Sequence, residues 1–203
     1  MQTETARIEA FSDGVFAIAI TLLILEIKVP SRDQGSLVAG LMRQWPSYLA
    51  FLLSFAYIGI MWINHHRMFT HIKRSNDVLK SLNLLLLLGV TIVPFPTAVL
   101  AEHLGGPYQR TAALIYNATF ILIAVFFNLL WRYAVSHGLL HEDVIMESAA
   151  GLSTQYAVGP LLYAVCLVIA WFNVRASVFA NTALAVFFAL PPSVIRRRPR
   201  LNP

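Results

Sequence analysis

Six apolar stretches, separated by polar or helix-breaking residues, divide the chain. The first begins at Arg7 and runs to Pro30, carrying Asp13 and Glu26. After it, uncharged runs extend from Gln44 to Asn64, Ser81 to Ala101, Thr111 to Trp131, Ser148 to Asn173 and Ala176 to Ile195. Each of these five reaches the roughly 20 residues that a bilayer core requires of a helix. The pattern predicts an all-α, polytopic membrane protein of one domain, 1–203. Its helices are expected over approximately 6–29, 37–66, 78–101, 108–135, 148–174 and 176–195. Ser31 and Gly35 after Pro30 mark the first loop, Gly105-Gly106-Pro107 the third, and Pro191-Pro192 the exit from the sixth helix. Only the Asn173–Arg175 region separates the fifth and sixth helices, which predicts a tight hairpin. Pro94 and Pro96 predict a kink in the third, because each removes a backbone donor.

The first helix departs from the other five. Between Asp13 and Glu26 only about a dozen residues are uncharged, short of a lipid-facing span. An aspartate at mid-helix costs roughly 2.5–3.5 kcal/mol on insertion scales. This helix is therefore expected to be central, enclosed by the others. At about 100° per residue, Phe11, Val15, Ile18, Leu22, Leu25 and Val29 share one stripe. Measured from Ile18, Leu22 lies at about +40° and Leu25 at about −20°, with Thr21 about 60° to the side and Asp13 about 140° away. A stripe of this period can surround an axis with copies of itself. Apolar helices contain such stripes by chance, and the carboxylate on the back face gives this one its weight. Asp13 is expected to be buried against helices of its own subunit. Trp62, Asn64, His65, His66 and Arg67, at the same membrane depth, offer the donors that a buried carboxylate needs.

Composition agrees with a membrane protein. Hydrophobic residues make up 58% and charged residues 12%, about half the charged fraction of a soluble domain. Glu4, Glu9 and Asp13 interrupt the region where a cleavable signal peptide would have its apolar core. Cys166 is the only cysteine, so no disulfide framework is expected. The net charge of +5 does not point to nucleic acid, because Arg196, Arg197, Arg198 and Arg200 sit in the tail. There they fit a cytoplasmic anchor beside anionic headgroups. With the N-terminus inside, ten Lys and Arg fall on the cytoplasmic side: Arg7, Arg67, Lys73, Arg74, Lys80, Arg132 and the four tail arginines. Five fall outside: Lys28, Arg32, Arg43, Arg110 and Arg175. This predicts a multi-pass protein of the inner (cell) membrane with both termini cytoplasmic. Trp45 and Tyr48 then mark the outer interface, Trp62 and Trp131 the inner one.

Catalytic and metal chemistry find little support. His65 and His66 are adjacent and diverge by about 100° on a helix, which does not suit one metal ion. No nucleophile elbow is present, and no cofactor is expected. His137, His141, Glu142, Asp143 and Glu147 read as a solvated inner loop. Asn83, Asn117, Thr119 and Asn128, inside spans, read as interhelical hydrogen-bonding groups.

Arg7 followed by Phe11-Ser12-Asp13, opening an Ile-rich helix that carries Thr21, resembles the signature of the transmembrane-protein-175 type of potassium channel. The Trp62-x-Asn64-His65-His66 segment is similar to that family's patch near the end of its second helix. The resemblance covers essentially the whole chain. It implies a homotetramer in the bilayer with K+ as the permeant ion, the family's constricting isoleucine at Ile18, further pore layers at Leu22 and Leu25, and the flanking threonine at Thr21. Arg7, Phe11, Ser12, Asp13, Trp62, Asn64 and His65 would form the motif and its structural network. The chain contains no Thr-Val-Gly-Tyr-Gly loop, so no cage of backbone carbonyls is expected. A neck of aliphatic rings would instead act as a hydrophobic gate, giving leak-like permeation with modest preference for potassium over sodium. No Arg or Lys lies inside the spans, so steep voltage dependence is not expected. Two other classes fit less well. A proton-coupled secondary transporter using Asp13 and His65 would show an internal repeat and broken helices, and a membrane-embedded enzyme or assembly factor would use the paired histidines.

Overall fold

A computed structural model describes residues 5–30, 36–142 and 146–189, with side chains in the last segment from 149 onward. The arginine tail, Pro191-Pro192, Arg32 and Asp143 lie outside the described residues, as does the side chain of Glu147. Helix α1 (Ala6–Leu22) tightens into a 3-10 turn, Leu23–Glu26. Then follow α2 (Leu37–Arg43), α3 (Trp45–Phe69), α4 (Asp77–Ile92), α5 (Pro94–His103), α6 (Gln109–Ser136), α7 (Met146–Phe172) and α8 (Val174–Ala189). Five stretches are long and apolar enough to cross a membrane: 6–26, 45–69, 77–103, 109–136 and 149–172. The shorter α8 forms the sixth rod of the bundle.

Where the elements break earlier than the sequence expectation, proline explains it. The first helix ends at Glu26 rather than near Val29: Ile27 is extended (ψ 103°), and Val29 precedes Pro30, which disfavours the α region. The second span is not continuous from 37. It breaks at Gln44, because Pro46 has no N–H to give and would clash with the preceding turn of an unbroken helix. It also continues three residues past 66, to Phe69. The third span breaks between Ile92 and Pro94. The last helix is described only to Ala189.

The ends opposite these prolines are well closed. Asn76 caps α4 by accepting from the Leu79 N–H at 2.9 Å and also donates to the Tyr133 hydroxyl, a cap worth about 1 kcal/mol. Gly138 ends α6 in the left-handed region (φ 63°). Its N–H donates to Val135 and that of Leu139 to Ala134, the paired bonds of a Schellman ending. The Leu139 carbonyl then accepts from Lys73 and Arg74, and a β-bridge joins Ile72 to Leu140. The α3–α4 and α6–α7 loops are thus tied together at one end of the bundle, the end from which α1 starts.

Within the bundle α6 packs against α4, α5 and α7, and α3 against α5 and α8. Rings fill the space between α3, α6, α7 and α8: Tyr57 meets Phe120 at 4.5 Å between centroids, and Phe120, Tyr163 and Phe188 continue the column. Several polar side chains inside the spans are paired across helices, though buried Gln155 of α7 finds no partner among the described residues. Ser54 bonds Thr97 and Tyr116, Asn181 donates to Asn117, and Tyr57 donates to the Asn181 carbonyl. Asn117 in turn donates to Ser177. Such bonds contribute about 0.6 kcal/mol each in membrane bundles. Helix α1 packs mainly on α3 and α4. In one chain it therefore lies at the side of the bundle with a broad face open.

Candidate functional site on the first helix

The seam of α1 that faces its own chain is Ser12, Phe16, Ala19 and Leu23, all buried. Their spacing of four, three and four keeps them within about 60° of one another. Phe16 lies against the His65 ring and Leu23 joins the core. Opposite this seam the surface is made of small residues. Ala10, Gly14, Ala17 and Thr21 are all exposed, and a side chain built at Gly14 would meet nothing within 4 Å.

Along one flank of that surface run the residues of the predicted stripe. Phe11, Ile18, Leu22 and Leu25 are exposed, with Ile18 and Leu25 each at 61%, and Val15 is half-buried. The 3-10 turn alters their register. At three residues per turn, positions three apart eclipse, so Leu25 is drawn beneath Leu22 rather than swinging about 60° away as in an α-helix. Val29 lies past the end of the helix and leaves the stripe. The Thr21 hydroxyl donates to the Ile18 carbonyl at 2.9 Å, which fixes the rotamer and leaves the oxygen lone pairs facing outward. Lys28 folds back to the Leu25 carbonyl at 2.8 Å and closes the turn.

The motif residues separate by direction. Ser12 points inward: Asn83 Nδ2 donates to its oxygen at 3.0 Å, Asn83 Oδ1 meets His65 Nε2 at 2.9 Å, and the Ser12 hydroxyl donates to the Ile8 carbonyl. His65 is 1% exposed and stacks on Phe69 at 4.5 Å. Asp13 is not enclosed as expected. It lies 90° from the buried seam at roughly 100° per residue, and it is exposed on the isolated chain. The Trp62 indole donates to it at 2.8 Å along the protomer surface. Asn64 belongs to another set: it donates to the Ile60 and Phe188 carbonyls, accepts from Arg67, and its own carbonyl accepts from Tyr156. Arg7 is exposed and forms no ion pair among the described residues. The buried hub is thus Ser12–Asn83–His65, with Asn83 supplied by α4. Its signal in the sequence was one amide in the run Ser-Leu-Asn-Leu-Leu-Leu-Leu-Leu.

A single face of this kind cannot enclose anything. Lipid would satisfy the exposed apolar stripe, but the exposed carboxylate of Asp13 on a membrane-spanning helix calls for neighbours beyond Trp62.

Comparison with known proteins gives these features a setting. Residues 7–94, from Arg7 to the break at Pro94, match the family model described as endosomal/lysosomal potassium channel TMEM175. A protein of Chamaesiphon minutus named as a potassium channel is 49% identical over 193 residues, covering 93% of this chain and 95% of that one. One of Streptomyces collinus, also named as a potassium channel, is 43% identical over 188 residues and covers 91% of each. The solved structure of a lysosomal potassium-selective channel TMEM175 homolog from Chamaesiphon minutus superposes with a TM-score of 0.86 at 48% identity. It covers 94% of this chain and 99% of that one.

Proposed function

The chain belongs to the TMEM175 family, and from that premise we propose that it is a potassium channel whose conduit is lined by α1 of several copies, four by family resemblance. The observation that carries this reading is the exposure of Ile18, Leu22 and Leu25 on a helix that packs on its own chain through a different seam. A bilayer accepts an apolar face of this kind; turned by several copies to a common axis it becomes a neck. The small residues Ala10, Gly14, Ala17 and Thr21 support it, since small side chains let transmembrane helices approach closely. Asp13, on the other flank of the same helix, and its partner Trp62 of α3 would then lie against a neighbouring copy.

Rings of isoleucine and leucine offer an ion no oxygen ligands. The neck therefore raises the cost of passage by partial dehydration, and it can dewet altogether. Potassium gives up water more easily than sodium, so the neck favours potassium without the sharpness of a carbonyl cage. The Thr21 oxygens beside it would return some solvation. Both termini are placed on the cytoplasmic side by the Lys and Arg distribution. The test is Ile18→Asn in liposomes. A polar ring should wet the neck, raise potassium flux several-fold and bring the potassium-to-sodium permeability ratio toward unity. Flux and ratio both unchanged would remove Ile18 from the pathway.

A further inference from the structure

At the end of the bundle opposite the start of α1, a cleft of about 650 Å3 opens between the loop entering α6 and the α7–α8 turn. Gln109, Arg110 and Thr111 form one wall, and Asn173 and Arg175 the other. These are the first turns of α6 and α8. Two facts about the arginines are unusual together. Both stand at helix N-termini, where the dipole and the unpaired N–H groups already present positive charge and a cation is disfavoured by about 0.3–1 kcal/mol. Neither has a carboxylate partner among the described residues. The ion pairs among the described residues are Glu9–His66, Lys73–Glu142 and Asp77–Lys80, all at the other end of the bundle.

Helix stability thus argues against arginine at both positions, and an anion in the cleft would reverse the sign. The Arg110 guanidinium lies 5.8 Å over the Trp171 ring, which orients it without neutralising it. Asn173 Oδ1 accepts from the Ala176 N–H at 3.0 Å and so satisfies one end-turn donor of α8. The planar guanidinium fork matches phosphate oxygens and is weakly hydrated. Around the cleft Tyr108, Trp171, Phe172 and Phe179 are exposed, and aromatic side chains at span ends mark the headgroup layer.

We propose that this cleft binds a phosphate group through Arg110 and Arg175, supplied by the headgroup of an anionic phospholipid. The site lies on the α6–α8 side of the molecule and does not depend on how α1 is used. The test uses the full-length protein purified from liposomes of phosphatidylglycerol and phosphatidylcholine with identical chains, with retained lipid counted by native mass spectrometry. Wild type should retain phosphatidylglycerol preferentially. The double variant R110Q/R175Q should retain about tenfold less, the factor for roughly 1.4 kcal/mol, while R110K/R175K keeps part of the preference and R132Q, at the other end of the bundle, keeps it all. Millimolar inorganic phosphate that leaves the lipid in place identifies the headgroup as the source. Displacement of the lipid by phosphate in wild type, with phosphate binding lost in R110Q/R175Q, keeps the phosphate site and assigns it to the free ion. Wild type showing no preference for phosphatidylglycerol, or R110Q/R175Q retaining as much as wild type, overturns the proposal, and the first of these is readable even if the glutamine variant does not fold.

Discussion

Asn83 holds together three elements with one amide. Its oxygen meets His65 of α3, its nitrogen donates to Ser12 of α1, and it is itself on α4. Asn83→Leu would leave the His65 ring nitrogen and the Ser12 oxygen buried without it, and each unsatisfied group costs about 1–3 kcal/mol. Thermal unfolding in detergent at one fixed scan rate should show a clear fall in midpoint. Adding Ser12→Ala to Asn83→Leu should cost less than the two single changes together, because both remove the same bond. A strictly additive pair would mean that the two side chains do not cooperate. Ile18 stands at the other extreme. It contributes almost nothing to its own chain's core, so Ile18→Asn should leave the midpoint of the protomer nearly unchanged while altering permeation.

Two glycines on neighbouring helices make the contrast at the level of elements. A Cβ at Gly89 would meet Ile123 Cγ1 at 2.8 Å, where α4 packs on α6. Gly89→Ala is therefore expected to destabilise by about 1–3 kcal/mol through overpacking, outweighing the gain in helix propensity of at most about 1 kcal/mol. Gly14 faces open space. Gly14→Leu should leave the chain's own fold intact and instead separate α1 from adjacent copies, reducing the particle mass seen by light scattering. A full-size assembly with unaltered flux would show that this face of α1 is not where copies meet. The breaks at Gln44 and Val93 follow from Pro46, Pro94 and Pro96 and turn the ends of long spans without ending the bundle.

The molecule as a whole has its rings and amides concentrated between α3, α6, α7 and α8, and α1 laid on the outside of that mass. Such a protomer has a filled interior and leaves apolar faces exposed on several of its helices, α1 among them, so its use as a channel rests on assembly with further copies. In mild detergent the particle is expected to have four times the mass of the chain. In liposomes under a potassium gradient, flux should be passive, should not saturate, and should need no proton gradient. Saturating uptake driven by protons would favour a transporter in its place.

Hydropathy and proline placement determined much of this from the sequence. Six apolar runs predicted six membrane helices, since a bilayer leaves few other ways to satisfy backbone groups; among the described residues five are long and apolar enough to cross and α8 is shorter. The motif at Arg7, Phe11, Ser12 and Asp13 pointed to the helix that we propose lines the conduit. The stripe of Ile18, Leu22 and Leu25 follows from a period that local geometry fixes. What the sequence could not decide is which polar residue of the motif is buried. Ser12 and Asp13 are adjacent, and a turn of about 100° sends one into the core and the other to the surface. Only the packing of α1 on α3 and α4 selects between them. The same holds for Asn83, one amide among leucines until α4 is set beside His65, and for Arg110 and Arg175, 65 positions apart in number yet facing one cleft. Periodicity is local and is written in the chain. The choice of which face meets which neighbour is a long-range packing outcome, and it exists only in three dimensions.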